Sequence, residues 1–360
     1  MNTLDEKIKV FQEILERAEP NEIAILSHAD HDGLTSDCLI DLLYYDSYKS
    51  FIKRFHPSKE FGYSTILHKI LSLKPKYFLI IDALVKPYEK IIKKILARGS
   101  IVINLDHHDL LSIKDENYLD LNPHNWNIEF MNSSGLVWLI VKRFNERFFR
   151  ERSWVAGIGA IQDYCIEDNK ELMEELKKSG YIEEINLSSA LNSKLIQIAK
   201  VINSSYFSIN TIYQMLFQTA YINDLEKLLT NERFIKALEI YRSKLNKIYE
   251  EIKKEEKIFQ VGDIKIKIYD LKGKSIQMIS DICEIERENA IYIGYSNGLL
   301  GFRSLFYPYD VRKLARLFGG GGPHPKVAGA QTNKSLDKVI EEVIHYIKDD
   351  TSRKTLDEFM

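Results

Sequence analysis

The chain has 360 residues, 45% of them hydrophobic and 28% charged, with 50 basic against 52 acidic side chains and a formal net charge of −2. That length leaves room for two domains, the composition excludes a disordered chain, and the near-neutral charge excludes one that is basic all over, so any nucleic acid must be met by a local patch. Three widely separated cysteines (Cys38, Cys165, Cys283) exclude a disulfide framework and a zinc pattern, residues 1–20 do not read as a signal peptide, and no apolar run approaches the ~18 residues of a membrane span; a cytoplasmic protein with no membrane contact is expected.

Thr3 and Glu6 have capping-box spacing, and Ile8, Phe11, Ile14 and Leu15 recur on one helical face until Pro20 stops the pattern. The chain then alternates: a strand over 23–27, a helix over 35–45, a strand over 77–81, a helix over 88–97 and a strand over 100–105. Strands separated by helices predict a parallel sheet with helices on its faces. Residues 134–149 read as a further helix, and 154–165 as a buried one carrying Gly157 and Gly159. From 187 to 257 the strand signal disappears and the segment ends in a long amphipathic helix, 232–256. Beyond it, 264–268 alternates with period two, 275–286 reads as a helix, 290–295 and 299–303 as strands, and 339–347 as a closing helix. The predicted fold is α/β: an N-terminal parallel-sheet domain (1–186), a helical connector (187–257), a smaller C-terminal mixed α/β domain (258–348) and a loosely held tail (349–360).

The chemistry gathers where predicted strands end. After the first comes Ser27-His28-Ala29-Asp30-His31-Asp32-Gly33, whose two carboxylates repel and remain ionised cheaply only beside a strong cation. Taken alone, this string also fits a haloacid-dehalogenase-like nucleophile loop, a calcium-loop fragment or a capped turn. Downstream residues shift the balance. Asp82 ends a five-residue apolar run, where an unpaired carboxylate is costly; Asp106-His107-His108 follows the next strand; Asp163 lies in a small, apolar stretch. Loops at the carboxyl ends of parallel strands share one crevice. Asp30, Asp32, Asp82, Asp106, His107 and Asp163 carry more anionic charge than one divalent ion needs, which predicts two. Two ions about 3.5–4 Å apart suit in-line displacement at phosphorus, and carboxylate with imidazole and no thiolate favours manganese over structural zinc.

In this order the motifs resemble the DHH phosphoesterases, a family named for the residues that stand here as Asp106-His107-His108. The resemblance implies that Asp30 and Asp82, with His28, hold one Mn2+ and that Asp32, Asp82, His107 and Asp163 hold the other, with Mg2+ as a substitute. It also implies that His108 faces the scissile phosphate and that Asp106 supports the ligand loop.

The second domain carries Gly319-Gly320-Gly321-Gly322-Pro323-His324-Pro325-Lys326. Glycine amides can approach a phosphate closely, although an isolated glycine run is as readily a flexible loop. The run resembles the Gly-Gly-Gly-His motif of the family's associated domain, with Pro323 standing where the motif has glycine next to histidine. That resemblance implies substrate binding by Gly320, Gly321, Gly322, His324 and Lys326, and by Arg303 and Ser304. Arg303, Arg312, Lys313, Arg316 and Lys326 against Asp310 form a local basic patch.

The layout looks most like the archaeal RecJ-like branch. It implies a two-metal exonuclease on single-stranded DNA or RNA, working at a cleft between the two domains. The alternatives are an oligoribonuclease or cyclic-dinucleotide phosphodiesterase on short substrates, or a RecJ-like scaffold that joins replication or repair proteins.

Overall fold

In the computed structural model, which describes residues 3–44, 53–57, 61–204 and 206–357, the chain forms two compact units, residues 1–241 and 242–360. The first begins with helix α1 (Leu4–Arg17), capped by the expected box: Thr3 Oγ1 accepts from the N–H of Glu6 and the Glu6 carboxylate accepts from that of Thr3. Five strands follow: β1 (Ile23–Ser27), β2 (Lys53–Phe55), β3 (Tyr77–Ile81), β4 (Ile101–Leu105) and β5 (Tyr118–Asp120). All pair in parallel, in the order β2-β1-β3-β4-β5.

Between the strands run α2 (His31–Tyr44), α3 (Tyr63–Leu73) and α4 (Glu89–Leu96). One sheet face buries Ala24, Leu26, Phe78, Ile80 and Val102 against Ile66, Leu67 and Ile70 of α3 and Ile92, Ile95 and Leu96 of α4. Apart from Ala24, each such side chain stabilises the fold by roughly 1.5–3 kcal/mol relative to exposure. The other face is covered by α2 and by α5 (Ser133–Val141), which pack with each other and with α7 (Ser153–Gln162). The helix expected over 134–149 is two helices, because Asn145 accepts from the N–H of Phe148 and starts α6 (Glu146–Glu151). β2, α3 and β5 are not among the predicted elements, although α3 repeats Ile66, Leu67 and Ile70 on one helical face.

Helix α8 (Lys170–Lys178) packs on α7 and α5. The segment expected as a connector begins with α9 (Leu187–Asn192), α10 (Lys194–Asn203), α11 (Ile209–Ile222) and α12 (Leu225–Leu229). α9 and α10 pack on α7, and α11 packs on α2, so these helices belong to the first unit. The long α13 (Glu232–Lys253) runs across the boundary between the units.

The second unit is a mixed six-stranded sheet of β6 (Lys257–Val261), β7 (Ile264–Asp270), β8 (Ile291–Ser296), β9 (Leu299–Arg303), β10 (Gly321–His324) and β11 (Val327–Gln331), ordered β10-β11-β9-β8-β7-β6. Only the β7–β8 pair is parallel. One face receives Ile279, Ile282 and Cys283 of α14 (Met278–Glu286). The other buries Ile266, Ile268, Ile293 and Phe302 with Leu314 of α15 (Arg312–Arg316) and Val339, Val343 and Ile347 of α16 (Leu336–Asp357). The α/β class and the two kinds of sheet are as the sequence predicts. α16 continues through residue 357, with Asp350 meeting Lys313 Nζ and the Tyr309 hydroxyl, each at 3.4 Å, while 358–360 lie outside the described residues. Among the described residues no helix is long and apolar enough to cross a membrane, and the three cysteines are buried thiols.

Candidate metal centre

Register builds the site. Ser27 of β1 stands beside Ile81 of β3, and Ile81 beside Leu105 of β4, so the next residues along the chain, His28, Asp82 and Asp106, leave the sheet side by side. Asp82 turns out of its strand with φ +49°, a left-handed conformation that aspartate tolerates better than most residues. After β1, Asp30 starts α2: its Oδ1 accepts from the N–H of Gly33 at 3.1 Å, and its Oδ2 meets His28 Nδ1 at 2.7 Å. A Cβ on Gly33 would stand 2.3 Å from the His28 carbonyl oxygen, so glycine is required by close packing inside the helix rather than by a turn. Asp32, one residue earlier in α2, is buried and accepts from the N–H groups of Ser133 and Ser134 at the start of α5. Asp163 caps the end of α7.

All six expected ligands come together. The ligand atoms of His28, Asp30 and Asp82 lie within 4.8 Å of one another, as do those of Asp32, His107 and Asp163, and those of Asp82, His107 and His108. His107 Nε2 stands 3.3 Å from Asp82 Oδ1 and 3.9 Å from Asp32 Oδ2, and His28 Nδ1 stands 3.8 Å from Asp82 Oδ2. Asp106 faces its own loop: its Oδ1 accepts from the N–H of His107 at 2.9 Å and pairs with His108 Nδ1 at 2.7 Å.

Electrostatically the cluster is in conflict. Burial, joined by Asp30, Asp32, Asp163 and Asp106, pushes the Asp82 carboxyl well above its usual range, and burial with Asp163 and Asp30 pushes Asp32 up to about 8. Burial opposes the charge on His31 and His108, yet Asp163 and Asp30 raise the former, and Asp106 foremost the latter, to about 9. Asp30 alone moves the other way: burial resists, but His28 and His31 hold it well below the usual carboxylate range. Too many acids share one buried space, and protons partly relieve it. The donor set fits divalent cations. Asp82 Oδ2 and Asp163 Oδ2 are buried and accept no hydrogen bond among the described residues, as expected of oxygens that bind an ion.

Three residues at the centre are missed by sequence reasoning. His31 Nε2 meets Asp163 Oδ1 at 2.8 Å while its Nδ1 meets the Asn203 side chain, orienting Asp163 from a partner 132 residues away. His124 Nε2 donates to the His107 carbonyl and Asn122 Nδ2 to that of His108, both at 2.8 Å, which supports the histidine loop from beneath. Each role depends on tertiary partners that no local spacing announces.

In the second unit the glycine run is half of a hairpin rather than a loop. A Cβ on Gly320 would stand 2.1 Å from the Gly329 oxygen, and one on Gly322 would stand 2.3 Å from the Val327 oxygen, whereas Gly321 faces open space. Gly319 has φ +74° and ends the turn after α15. Arg303 is buried, donating from Nε to Ser280 Oγ and from Nη1 to the carbonyls of Phe302 and Ala328. Ser304 is fully buried with its hydroxyl on the Tyr309 carbonyl, His324 is buried and Lys326 half-buried.

No protein-family model and no curated protein matches the chain. Solved structures do. A DHH-domain protein described as a member of a family of ribosomal proteins aligns with a TM-score of 0.71 at 15% identity, over 96% of this chain and 91% of that one. RecJ from Thermus thermophilus in complex with Mn2+ aligns with a TM-score of 0.62 at 18% identity, over 95% of this chain and 54% of that one. A manganese-bound exonuclease RecJ aligns with a TM-score of 0.54 at 17% identity, over 97% and 95%. This chain thus has the DHH-domain fold that RecJ also has.

Proposed function

We propose that this chain is a two-metal phosphodiesterase, acting as an exonuclease that hydrolyses single-stranded DNA or RNA from an end. The observation that carries the proposal is the cluster of buried carboxylates and imidazoles whose three ligand groups overlap at Asp82 and His107. His28, Asp30 and Asp82 would hold one ion, and Asp32, Asp82, His107 and Asp163 the other, with manganese favoured by the donor types. When bound, such a pair lowers the pKa of a water and neutralises charge on a phosphoryl group.

The residues of the chain supply the rest. Asp82 shares one ligand group with His28 and Asp30 and another with His107 and His108, and so would tie the two ion sites into one. Asp106 fixes His108 through Nδ1, which leaves Nε2 to donate to a phosphoryl oxygen. Asp106 itself acts by holding the loop. The two manganese-bound RecJ structures of the same fold support both the metal and the substrate class.

Substrate binding by Arg303, Gly320, Gly321, Gly322, His324 and Lys326 is part of the proposal. Gly321, with open space beside its Cα, is the position where a phosphate approaches the backbone most easily. Ser304 is left out, since its hydroxyl holds the turn to Tyr309. Replication or repair proteins are proposed as partners only of the active enzyme.

The test is digestion of end-labelled single-stranded DNA and RNA of both polarities by the purified protein, with manganese, with magnesium or with chelator. Stepwise shortening from one end that requires a divalent ion is expected. Full cleavage in chelator, or none under any ion, would contradict the assignment; cleavage confined to dinucleotides or cyclic dinucleotides would replace it with the short-substrate alternative.

A further inference from the structure

Asp32 is the most enclosed of the proposed ligands, and what aims it is an amide. Asn132, just before α5, is fully buried and satisfied on all sides. Its Nδ2 donates to Asp32 Oδ1 at 2.6 Å and to Ser134 Oγ at 2.9 Å. Its Oδ1 accepts from the N–H of Gly135 and from Asn169 Nδ2, each at 3.3 Å. The amide cannot be turned round. Ser134 Oγ donates to the Ala156 carbonyl at 3.0 Å, so it presents a lone pair to Asn132. Asn169 Nδ2 is also in reach of the Phe130 and Cys165 carbonyls, at 3.1 and 2.8 Å, which fixes it as the donor.

The consequence falls on Asp32. Its Oδ1 is held by Asn132 and by the N–H of Ser134 at 2.8 Å, so rotation about its last bond would break both contacts. Its Oδ2 accepts from the N–H of Ser133 at 3.0 Å and is the oxygen nearer His107 Nε2. Gly159 closes the pocket, because a Cβ there would stand 2.3 Å from Ser134 Oγ and 2.7 Å from Asp32 Oδ1. Asn132 therefore joins two tasks in one side chain: its oxygen caps α5, and its nitrogen sets which oxygen of Asp32 reaches a metal.

We infer that Asn132 is a positioning residue that makes Asp32 a ligand of the second ion, the one shared with His107 and Asp163. This rests on the two-metal proposal and goes beyond it by predicting that one site can be lost while the other remains. Asn132→Asp separates the two tasks, because aspartate caps a helix as well as asparagine does but places an oxygen where Asp32 needs a donor. Asn132→Ser keeps a cap without reaching Asp32 and adds no charge. Asn145→Asp, at the exposed cap of α6, controls for the substitution itself.

The experiment is titration of the metal-free full chain with manganese, followed by calorimetry, with circular dichroism to check folding. The wild type and Asn145→Asp should take two equivalents. Asn132→Asp should keep one at unchanged affinity and bind the second about ten- to a hundredfold more weakly, as loss of a group that orients a ligand does, with Asn132→Ser weakened at the same site. Two equivalents at wild-type affinity in Asn132→Asp, tighter binding there, or both Asn132 variants failing to fold would overturn the inference while leaving the two-metal proposal standing. No binding by the wild type would sink both.

Discussion

Two buried clusters of ionisable groups, the candidate metal centre of the first unit and a lysine–glutamate network of the second, are opposite in kind. In the second unit Lys267, fully buried, pairs with Glu256 at 3.0 Å, with Glu288 at 2.7 Å and with Glu286. Lys253 pairs with Glu256 and Glu286, Lys265 pairs with Glu288, and the hydroxyls of Tyr249 and Tyr269 donate to Glu286 at 2.8 and 2.9 Å. Lysines 253, 265 and 267 thus balance glutamates 256, 286 and 288. The shifts deepen the balance: Lys267 is raised against burial by Glu286, Glu288 and Glu256, and Glu286 is lowered to about 2, against burial, by Lys253 and Lys267. In the first unit Asp32 and Asp82 are pushed the other way, and two of the buried carboxylate oxygens accept nothing among the described residues. A cluster whose shifts favour its charges holds itself together; one whose acids resist ionising is built for something it must bind.

The sharpest way to break this contrast is substitution at the centre of each cluster. Asp82→Ala should lower kcat/KM for strand cleavage by roughly a thousandfold or more, since Asp82 belongs to two of the three ligand groups, and the metal-free protein should remain folded because a buried acid has been removed from a crowd of acids. Glu286→Ala should do the reverse. It should cost about 3 kcal/mol in chemical unfolding, because Lys267 and Lys253 lose a partner in a buried network, and leave manganese stoichiometry unchanged. Unchanged stability in Glu286→Ala, or an Asp82→Ala enzyme within a few-fold of wild type, would erase the distinction.

Ligand dependence comes next in size. Manganese at a hundred times its Kd should stabilise the first unit by about 2.7 kcal/mol per ion. All three tryptophans (Trp126, Trp138, Trp154) lie in that unit, so tryptophan fluorescence follows it selectively. If the fluorescence transition ignored manganese, the first cluster would be structural after all.

The pH dependence differs in sign between the units. The folded Glu286 carboxyl is lowered from 4.5 to about 2, so its contribution is present above pH 4.5 and lost as pH falls toward 2. In the metal-free protein Asp32 is raised from 3.8 to about 8, so its contribution is present below pH 3.8 and lost as pH rises through 8. Metal-free fluorescence melts should therefore weaken between about pH 4 and 8, and manganese should flatten that slope. A first unit that gained stability over this range without metal would show that its carboxylates are compensated from within.

What was legible in the sequence follows from how local each feature is. Asp30, Asp32, Asp82 and Asp106 could be read because each follows an apolar run, and parallel register does the rest by setting Ser27, Ile81 and Leu105 abreast. The break between α5 and α6 was not legible, since the Asn145 cap that makes it shows only in its contact with the N–H of Phe148. His31 stands in plain view between two aspartates, yet its partners Asp163 and Asn203 come only with the fold. The glycine run reads as a loop because nothing local tells that Gly320 and Gly322 lie against the backbone of residues 327–330. The burial of Arg303 is hidden for the same reason: one of the carbonyls that receive it, that of Ala328, belongs to β11.

The most direct test of the central claim is a crystal of the full chain grown with manganese, with anomalous scattering collected at the manganese edge. Two peaks are expected in the first unit, one among His28, Asp30 and Asp82 and one among Asp32, Asp82, His107 and Asp163. No anomalous peak at these residues at saturating manganese, or a single ion that leaves Asp82 Oδ2 or Asp163 Oδ2 without a partner, would contradict it.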